Sequence, residues 1–253
     1  MDPYAIDPDE VGDGGPYPQA GRTRMMLPPV PAWIGNGVDD PEAGMTARLA
    51  DDCVYLMGDH PRLARMPEAP TLFDFFRLRM TPFVRNHLLQ SAKLARDAGH
   101  DDTVVLACLL HDIAAGTLLR SDHGYWGAQL IGPYVSEEVA WAVAQHQPLR
   151  YFADEEAGYS YPESYVRFFG PDYEPLEYIR QAAEAARGHR WYHTARLITI
   201  NDVYAFDESV EVQLEEFEDL VGRTFRQPRE GLGFDGSPVA HMWRSMIWPN
   251  NFL

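Results

Sequence analysis

Six side chains that can bind metal ions follow one another along the chain, each near the end or on the inward face of an expected helix. They are four histidines and two aspartates: His87, His111, Asp112, His123, His146 and Asp202. Together they offer imidazole nitrogens and carboxylate oxygens but no thiolate. Such a set suits iron, manganese or zinc better than copper(I) or an iron–sulfur cluster. The sequence therefore predicts a metal centre with nitrogen and oxygen ligands.

The segment HLLQSAKLARDAGHDDTVVLACLLHD, residues 87–112, predicts two helices joined by a short turn. The first helix ends near Gly99, because glycine is the residue type that most often ends helices, and the pair of aspartates that follows can cap the second. The interior of the second helix, TVVLACLL, is almost wholly apolar, which is typical of a buried helix. His111 and Asp112 at its end are costly to bury unless they are paired, hydrogen-bonded or bound to a metal.

The other candidate ligands lie on further expected helices. His123 begins the helical segment HGYWGAQLIGPYV, and Ser136 is a suitable N-cap for the next helix, which carries His146 on its apolar face. Asp202 shares a helical face with four apolar residues: Trp191, Ala195, Ile198 and Ala205. This aspartate therefore points inward, where a buried carboxylate needs a cation.

Two further histidines, His189 and His193, have a spacing of four residues that also binds zinc in some proteins. On a continuous helix both lie nearly opposite Asp202, so we expect them outside the metal centre. The remaining histidines are expected at the surface or in the tail: His60, His100 and His241.

The whole chain predicts an all-α protein, because no alternating strand pattern of useful length occurs. We expect three parts: an extended arm over residues 1–40, a helical core over residues 41–222, and an aromatic tail over residues 223–253 that packs on the core. No apolar run is long enough to cross a membrane, and the acidic N-terminus lacks the pattern of a signal peptide.

The charge and the cysteines restrict the expected partners and compartment. The net charge is −17 and Lys93 is the only lysine, so nucleic acid is not expected as a partner. Cys53 and Cys108 lie in helix-like surroundings, which indicates buried thiols rather than a disulfide. We therefore expect a cytoplasmic protein that acts on a small molecule, and the aromatic arm and tail would permit a homodimer.

The order His, His-Asp, His, His, Asp resembles the HD-domain superfamily, and the spacing from His87 to the contiguous pair His111-Asp112 carries the match. The resemblance covers roughly residues 70–207 and implies an HD-domain helical bundle. It also implies two metal ions that share Asp112, with the other ligands in two sets: His87, His111 and Asp202 for the first metal, and His123 and His146 for the second. Asp112, His123 and His146 would then be the catalytic residues.

The residues around the HD pair resemble one branch of this superfamily. Many of its hydrolases carry a lysine two residues after the pair, but here the sequence is HDIAAG. The stretches HGYWGAQLIGPYVSEEVAWAVAQH and RWYHTARLITINDVYAFD are similar to the small di-iron oxygenases that degrade organophosphonates, and the myo-inositol oxygenases share the ligand order. This resemblance implies two iron ions, as Fe2+ and Fe3+, that use O2 to cleave a bond in a small polar substrate.

The chain departs from the phosphonate oxygenases where they contact their substrate. They carry a lysine shortly after the histidine equivalent to His146, where this chain has Arg150, and an arginine where it has Thr199. Upstream of His87, the segment FFRLRMTPFVRN lacks their tyrosine and glutamate. We therefore specify the substrate only as a polar or zwitterionic small molecule.

The substrate-binding candidates lie in an irregular insertion from Gln147 to Tyr178, because loops on a rigid scaffold commonly carry substrate contacts. They are Arg150, Tyr151, Ser164, Tyr165 and Arg167. Three tail residues are expected either to pack on the bundle or to close over the pocket: His241, Trp243 and Trp248.

Three other functions stay open at this point. The second candidate is a metal-dependent phosphohydrolase with manganese or zinc, in which Arg120 and Arg150 are the nearest cations. A hydratase or lyase would hold a single zinc ion and leave His123 and His146 free to act on the substrate. A non-catalytic binding protein would keep a structural metal, but structural sites are usually closed and rich in thiolates.

Overall fold

The computed structural model describes the following parts of the chain: residues 64, 66–115, 122–162, 165–166, 170, 172–203, 205–207 and 209–247. Within these residues the protein consists of nine α-helices and two short 3-10 helices, and its β-type pairing is limited to a single bridge between Asp154 and Tyr159. The prediction of an all-α fold is confirmed. None of the helices in these ranges is long and apolar enough to span a membrane.

We number the α-helices in chain order: α1 (Leu72–Leu78), α2 (Pro82–Asp97), α3 (Asp102–Leu110), α4 (His123–Ile131), α5 (Glu137–Leu149), α6 (Glu177–Arg187), α7 (Tyr192–Val203), α8 (Glu218–Thr224) and α9 (Ala240–Ile247). The 3-10 helices are Gly132–Tyr134 and Leu214–Phe217. Helix α5 packs against α3, α4, α6 and α7, and α2 and α7 also pack on α3 and on each other. Helices α2, α3, α4, α5 and α7 therefore form the group that can position a central site.

Local sequence signals set the ends of α2 and α3. The hydroxyl of Thr81 accepts a hydrogen bond from a backbone N–H of the first turn of α2 at 3.2 Å, and Pro82 lies in that turn, where it loses no helical bond. Gly99 follows the helix with a φ of +81°, a conformation that costs glycine little. Asp101 then caps α3 with a hydrogen bond of 3.0 Å. These ends place the HD pair directly after α3, as the sequence predicted.

Helix α3 is buried on every side, since each residue from Val104 to Leu110 is at most 6% exposed. The chain leaves this helix at His111, which is fully buried, so the HD pair emerges inside the bundle. Cys108 is a buried free thiol, and burial raises its pKa to about 12. The expectation of a buried thiol is thus confirmed for Cys108, whereas Cys53 lies outside the described residues.

The acidic, amphipathic segment VEVQLEEFEDLVG, residues 210–222, predicts a helix, but the helix in the structure is shorter. The acidic segment 210–222 becomes helical only at Leu214, with a 3-10 turn that leads into α8. The backbone N–H of Gln213 donates to the carboxylate of Glu216 at 3.2 Å, and this capping box fixes the start of the helix there. Pro41, at a position that suits the first turn of a helix, predicts a helix that begins at Asp40-Pro41, and this segment lies outside the described residues.

The tail residue Trp243 is fully buried in the bundle. Its ring packs edge-on against Phe75 with ring centroids 5.1 Å apart, and its Nε1–H donates to the carbonyl of Leu130 at 3.1 Å. The tail was expected either to pack on the bundle or to close over the pocket, and Trp243 packs on the bundle. His241 is exposed, and Trp248 lies outside the described residues. The boundaries expected for the arm, core and tail stay a prediction.

Candidate metal centre

The six predicted ligands meet in the middle of the bundle, on α2, α4, α5, α7 and the turn after α3. Each of the four histidines is at most 5% exposed. Two groups of three side chains place their ligand atoms within 4.8 Å of one another: His87, His111 and Asp112 in one group, and Asp112, His123 and His146 in the other. Asp112 is common to both groups.

On one side of Asp112 lie His87, His111 and Asp202. The Nε2 atoms of the two histidines are 3.1 Å apart. Oδ1 of Asp202 lies 3.1 Å from Nε2 of His87 and 3.7 Å from Nε2 of His111. The two carboxylate oxygens of Asp112 face the same pair, Oδ2 at 3.8 Å from Nε2 of His87 and Oδ1 at 3.7 Å from Nε2 of His111. This side therefore brings two imidazoles and two carboxylates together.

On the other side of Asp112 lie His123 and His146, whose Nε2 atoms are 3.3 Å apart. Oδ1 of Asp112 is 2.9 Å from Nε2 of His123 and 3.5 Å from Nε2 of His146. This oxygen is buried yet accepts no hydrogen bond of good geometry. A single carboxylate thus reaches both histidine pairs, which is the arrangement expected of a bridging ligand.

Backbone carbonyls orient three of the four imidazoles. The Nδ1 atoms lie near the following carbonyl oxygens: His87 at 3.1 Å from Ala205, His111 at 2.8 Å from Cys108, and His146 at 2.6 Å from Val143. A carbonyl can only accept, so each Nδ1 carries a proton, and each ring in its neutral form presents the lone pair of Nε2 to the other ligands. Metal-binding histidines commonly have this second hydrogen bond.

The spacing of the nitrogens fits a metal ion in each group. Two nitrogens that are each about 2.1 Å from one ion, at an angle of about 90–110°, are about 3.0–3.4 Å apart. The observed separations of 3.1 Å for His87 and His111 and 3.3 Å for His123 and His146 fall in this range. Together with the oxygen of Asp112 that lacks a hydrogen bond, they indicate that the residues present can hold two ions.

The surroundings shift the pKa values of these ligands in different directions. Burial lowers the pKa of His146 to about 4, so this ring is neutral at ordinary pH. Burial alone would also lower the pKa of His87, but the hydrogen bond and attraction to Asp202 outweigh it and raise this pKa. Burial opposes the charge of Asp112 and Asp202, yet the adjacent imidazoles hold both carboxyl pKa values below their ordinary range. Both aspartates are therefore charged at ordinary pH, and the protonated form is favoured more strongly at His87 than at His146.

Gly124 allows α4 to approach α5 closely enough to form the second group. A Cβ atom at this position would lie 2.9 Å from the carbonyl oxygen of Val143 and 3.2 Å from Cε1 of His146. The backbone N–H of Gly124 donates to the side chain of Gln147 at 3.1 Å, which also ties α4 to α5. The sequence analysis missed this residue, because its role depends on the distance between two helices and not on its neighbours in sequence.

Phe206 is a second residue that the sequence analysis missed. Its ring stacks on His87 with centroids 4.2 Å apart and planes 13° from parallel, although the residue is 54% exposed. Phe83 stacks on Phe206 in turn, at 6.1 Å, and both line a cleft of about 540 Å³ on the outer side of His87. Phe206 therefore separates one face of a candidate ligand from the solvent in this cleft. Its position four residues after Asp202 was the only signal in the sequence.

Three of the five predicted substrate-binding residues form one cluster after α5. The guanidinium of Arg150 lies 5.3 Å from the ring centroid of Tyr151 and 5.5 Å from that of Tyr165. Both Arg150 and Tyr165 lie within electrostatic reach of Asp202, which places the cluster beside the metal centre. Ser164 and Arg167 lie outside the described residues.

Arg196 on α7 anchors the segment that follows α5. This fully buried side chain donates to the carbonyl of Leu149 at 3.1 Å and to the hydroxyl of Tyr192 at 3.1 Å. Tyr192 donates a short hydrogen bond to Asp154, whose carboxylate also lies 3.8 Å from Arg196. The hydroxyl of Tyr159 donates to the carbonyl of Arg150 at 2.6 Å. The predicted substrate segment is therefore held to the helix that carries Asp202, a connection that the sequence did not reveal.

The competing histidine pair lies away from these ligands. His193 is exposed, and His189 stacks on Trp141 with ring centroids 4.0 Å apart. Neither belongs to the groups that could hold a metal ion among the described residues. Their position agrees with the outer face expected for them.

The fold and the site define a class of protein, namely helical metal-binding domains in which two sets of histidines share one aspartate. The model of the HD domain family matches residues 84–199, so the helical bundle is similar to that family over this part of the chain. The match includes every candidate ligand except Asp202, which lies just after its end. Members of the family are generally metal-dependent enzymes. A comparison with curated proteins found no match.

Gly124→Ala is expected to separate α4 from α5 and to weaken the second metal group. Overpacking of a close helix contact typically costs about 1–3 kcal/mol, so the free energy of unfolding in denaturant should fall by that amount. Metal analysis should show a loss at the His123 and His146 side. Gly132→Ala is the control, because a Cβ there meets nothing within 4 Å. Equal stability and metal content in the two variants would contradict this role of Gly124.

Metal binding is expected to displace the proton from His87. The raised pKa of this ring stabilises the metal-free fold at low pH, and that contribution is lost as the pH rises through the raised pKa. The increase in pH also favours metal binding, because a ligand nitrogen must be unprotonated to bind a metal ion. Calorimetric titration of chelator-treated protein with zinc, in two buffers of different ionisation enthalpy, should therefore show proton release and tighter binding at higher pH. A binding enthalpy that does not depend on the buffer would count against it.

Proposed function

We propose that this protein is a metal-dependent enzyme with a dinuclear centre, and that two iron ions there use O2 to cleave a bond in a small polar substrate. The observation that carries the proposal is the position of Asp112 between two pairs of imidazoles, whose Nε2 atoms are 3.1 Å and 3.3 Å apart. A set of four imidazoles and two carboxylates suits iron, although manganese and zinc also accept it. The segment HDIAAG offers no cation beside the HD pair for a phosphoryl group, which favours oxidation over hydrolysis.

In such an enzyme, different side chains of the bundle would bind the metal ions, contact the substrate and exclude water. The first ion would be held by His87, His111, Asp112 and Asp202, and the second by Asp112, His123 and His146. When bound, iron would supply the activation of dioxygen. Arg150 and the rings of Tyr151 and Tyr165 would contact the substrate beside the centre. The buried wall of α3 and the ring of Phe206 would exclude bulk water from the ligands.

A phosphohydrolase is the second candidate, and Arg150 is the observation in its favour. This guanidinium is largely buried and lies within electrostatic reach of Asp202. Positive charge that stabilises the phosphoryl group is most of the catalysis of phosphoryl transfer, and Arg150 could provide part of it. Manganese or zinc would then activate a water molecule. Arg120, the other cation considered from the sequence, lies outside the described residues.

The two remaining alternatives make different use of the same side chains. A hydratase or lyase with one zinc would need only the ligands on the side of His87, and His123 and His146 would face the substrate instead. The distance of 2.9 Å between Nε2 of His123 and Oδ1 of Asp112 favours a ligand role for this histidine. A binding protein with a structural metal would not need a buried arginine beside the centre.

Asp112→Ala is expected to lose both metal ions, whereas His146→Ala should empty only the second position and leave the first partly filled. The physical reason is that Asp112 faces both histidine pairs and His146 faces one. Metal content per chain, measured by mass spectrometry after anaerobic purification, checks both variants against His193→Ala, whose side chain is exposed. Full metal occupancy in Asp112→Ala would refute the bridging role.

The metal content of the wild type separates two of the candidate functions. Two irons per chain favour the oxygenase, and a single zinc favours the hydratase.

Oxygen uptake separates the oxygenase from the hydrolase. The iron-loaded protein is reduced, exposed to oxygen and screened with small polar alcohols, amines and phosphonates, and generic phosphate esters are tested in parallel with the manganese and zinc forms. We expect oxygen consumption that depends on one substrate class. Hydrolysis of phosphate esters by the manganese or zinc form, with no oxygen uptake by the iron form, would reject the oxygenase in favour of the second candidate.

A further inference from the structure

Two buried polar atoms beside the metal centre lack a hydrogen-bond partner. They are Nε of Arg150 and the hydroxyl oxygen of Tyr161, both in the segment that follows α5. The hydrogen bond that Arg150 does form to a side chain, from Nη2 to the hydroxyl of Tyr151, has a length of 3.5 Å, at the limit for such a bond. Buried donors without acceptors are unfavourable and rare in folded proteins. Two of them in one segment therefore indicate an acceptor that the described residues do not provide.

Arg196 shows that the fold can satisfy a buried guanidinium next to this segment, although Nε of Arg244 in the tail also lacks a partner among the described residues. Arg196 is fully buried, and its guanidinium donates to the carbonyl of Leu149 and the hydroxyl of Tyr192 and faces the carboxylate of Asp154 at 3.8 Å. Within the described residues, Arg150 makes no ion pair with a carboxylate at that distance. One arginine is thus satisfied by the fold, whereas the other keeps a charge and a donor for a ligand.

Tyr161 and Arg150 both pack against the ring of Tyr165. The ring of Tyr161 is 5.9 Å from that of Tyr165, and the guanidinium of Arg150 is 5.5 Å from the same ring. Burial, with the neighbouring Tyr151, raises the pKa of Tyr161, so its hydroxyl keeps the proton and can donate. The ring of Tyr165, which Tyr161 and Arg150 both approach, is within electrostatic reach of Asp202 and Asp112, so this cluster lies near the metal centre.

We propose that Arg150 and Tyr161 together bind an anionic oxygen group of the substrate, such as a carboxylate, phosphonate or phosphate group. Arg150 supplies the charge and Tyr161 supplies a neutral donor to a second oxygen. Tyr161 is therefore a specificity residue, which selects substrates with an oxyanion over neutral polar molecules. The inference rests on the proposed function, because it assigns a substrate class to the same centre.

The test measures the binding of simple oxyanions to the full-length protein with its bound metal. Inorganic phosphate, methylphosphonate and acetate are titrated by calorimetry into the wild type, Tyr161→Phe and Arg150→Gln. We expect the wild type to bind at least one of them, Tyr161→Phe to bind it about tenfold more weakly, and Arg150→Gln to lose more, since hydrogen bonds to charged groups are the stronger ones. The probe that binds distinguishes a carboxylate from a phosphorus oxyanion. Tyr178→Phe is the control, because Tyr178 is 59% exposed on α6.

Thermal unfolding separates ligand binding from a structural role of the hydroxyl. Without an anion, Tyr161→Phe should unfold at the same or a higher temperature than the wild type, because the deleted hydroxyl has no partner. With phosphate, the rise in its unfolding temperature should be smaller. A lower unfolding temperature together with unchanged anion affinity would overturn the proposal.

Two further outcomes keep this inference distinct from the proposed function. If the wild type binds two metal ions but none of the three oxyanions, the assignment of the substrate class is wrong and the metal-dependent function stands. If phosphate binds in a way that depends on Tyr161 while the chain holds no metal, the oxyanion site is supported and the proposed function fails. Metal content is therefore measured for every variant in the same samples.

Discussion

The buried negative charge of Asp112 is the constraint on which the rest of the centre depends. The chain emerges from α3, a helix buried on all sides, straight into a carboxylate whose Oδ1 atom is also buried. Such a charge is tolerated only when cations or strong donors surround it. Four helices and the turn after α3 direct imidazoles and a second carboxylate, Asp202, to this point. The neutral state of His146 and the raised pKa of His87 are both responses to that arrangement.

Much of the fold and the ligand set could be predicted from sequence because both depend on local signals. Caps such as Thr81 and Asp101, and the apolar run of α3, fix where α2 and α3 begin and end, and the HD pair follows directly after α3. The predicted helix over 210–222 failed at its start because side-chain capping at Gln213 competes with helical periodicity. The ligand assignments themselves stay predictions until a metal is measured.

The residues that sequence reasoning missed all act across long separations in the chain. Gly124 matters because α5 passes close to α4, Phe206 because α7 ends beside α2, and Arg196 because it reaches the end of α5. Nothing in their immediate neighbours encodes these distances. Tyr161 was equally hidden, since a tyrosine without a hydrogen-bond partner can be recognised only once its surroundings are known.

The carbonyl groups that orient the imidazoles have a consequence for how such a centre can evolve. His111 and His146 each bond to a carbonyl three residues earlier in the chain, and His87 bonds to the carbonyl of Ala205. A carbonyl belongs to the backbone. A point substitution at these positions therefore keeps the acceptor unless it moves the main chain. A substitution of the side chain of Cys108, Val143 or Ala205 would therefore leave the tautomers fixed. The same arrangement limits how the basicity of these histidines can be changed. A carboxylate acceptor would make a ligand more basic, but replacing a backbone carbonyl by a carboxylate would require a different course of the main chain.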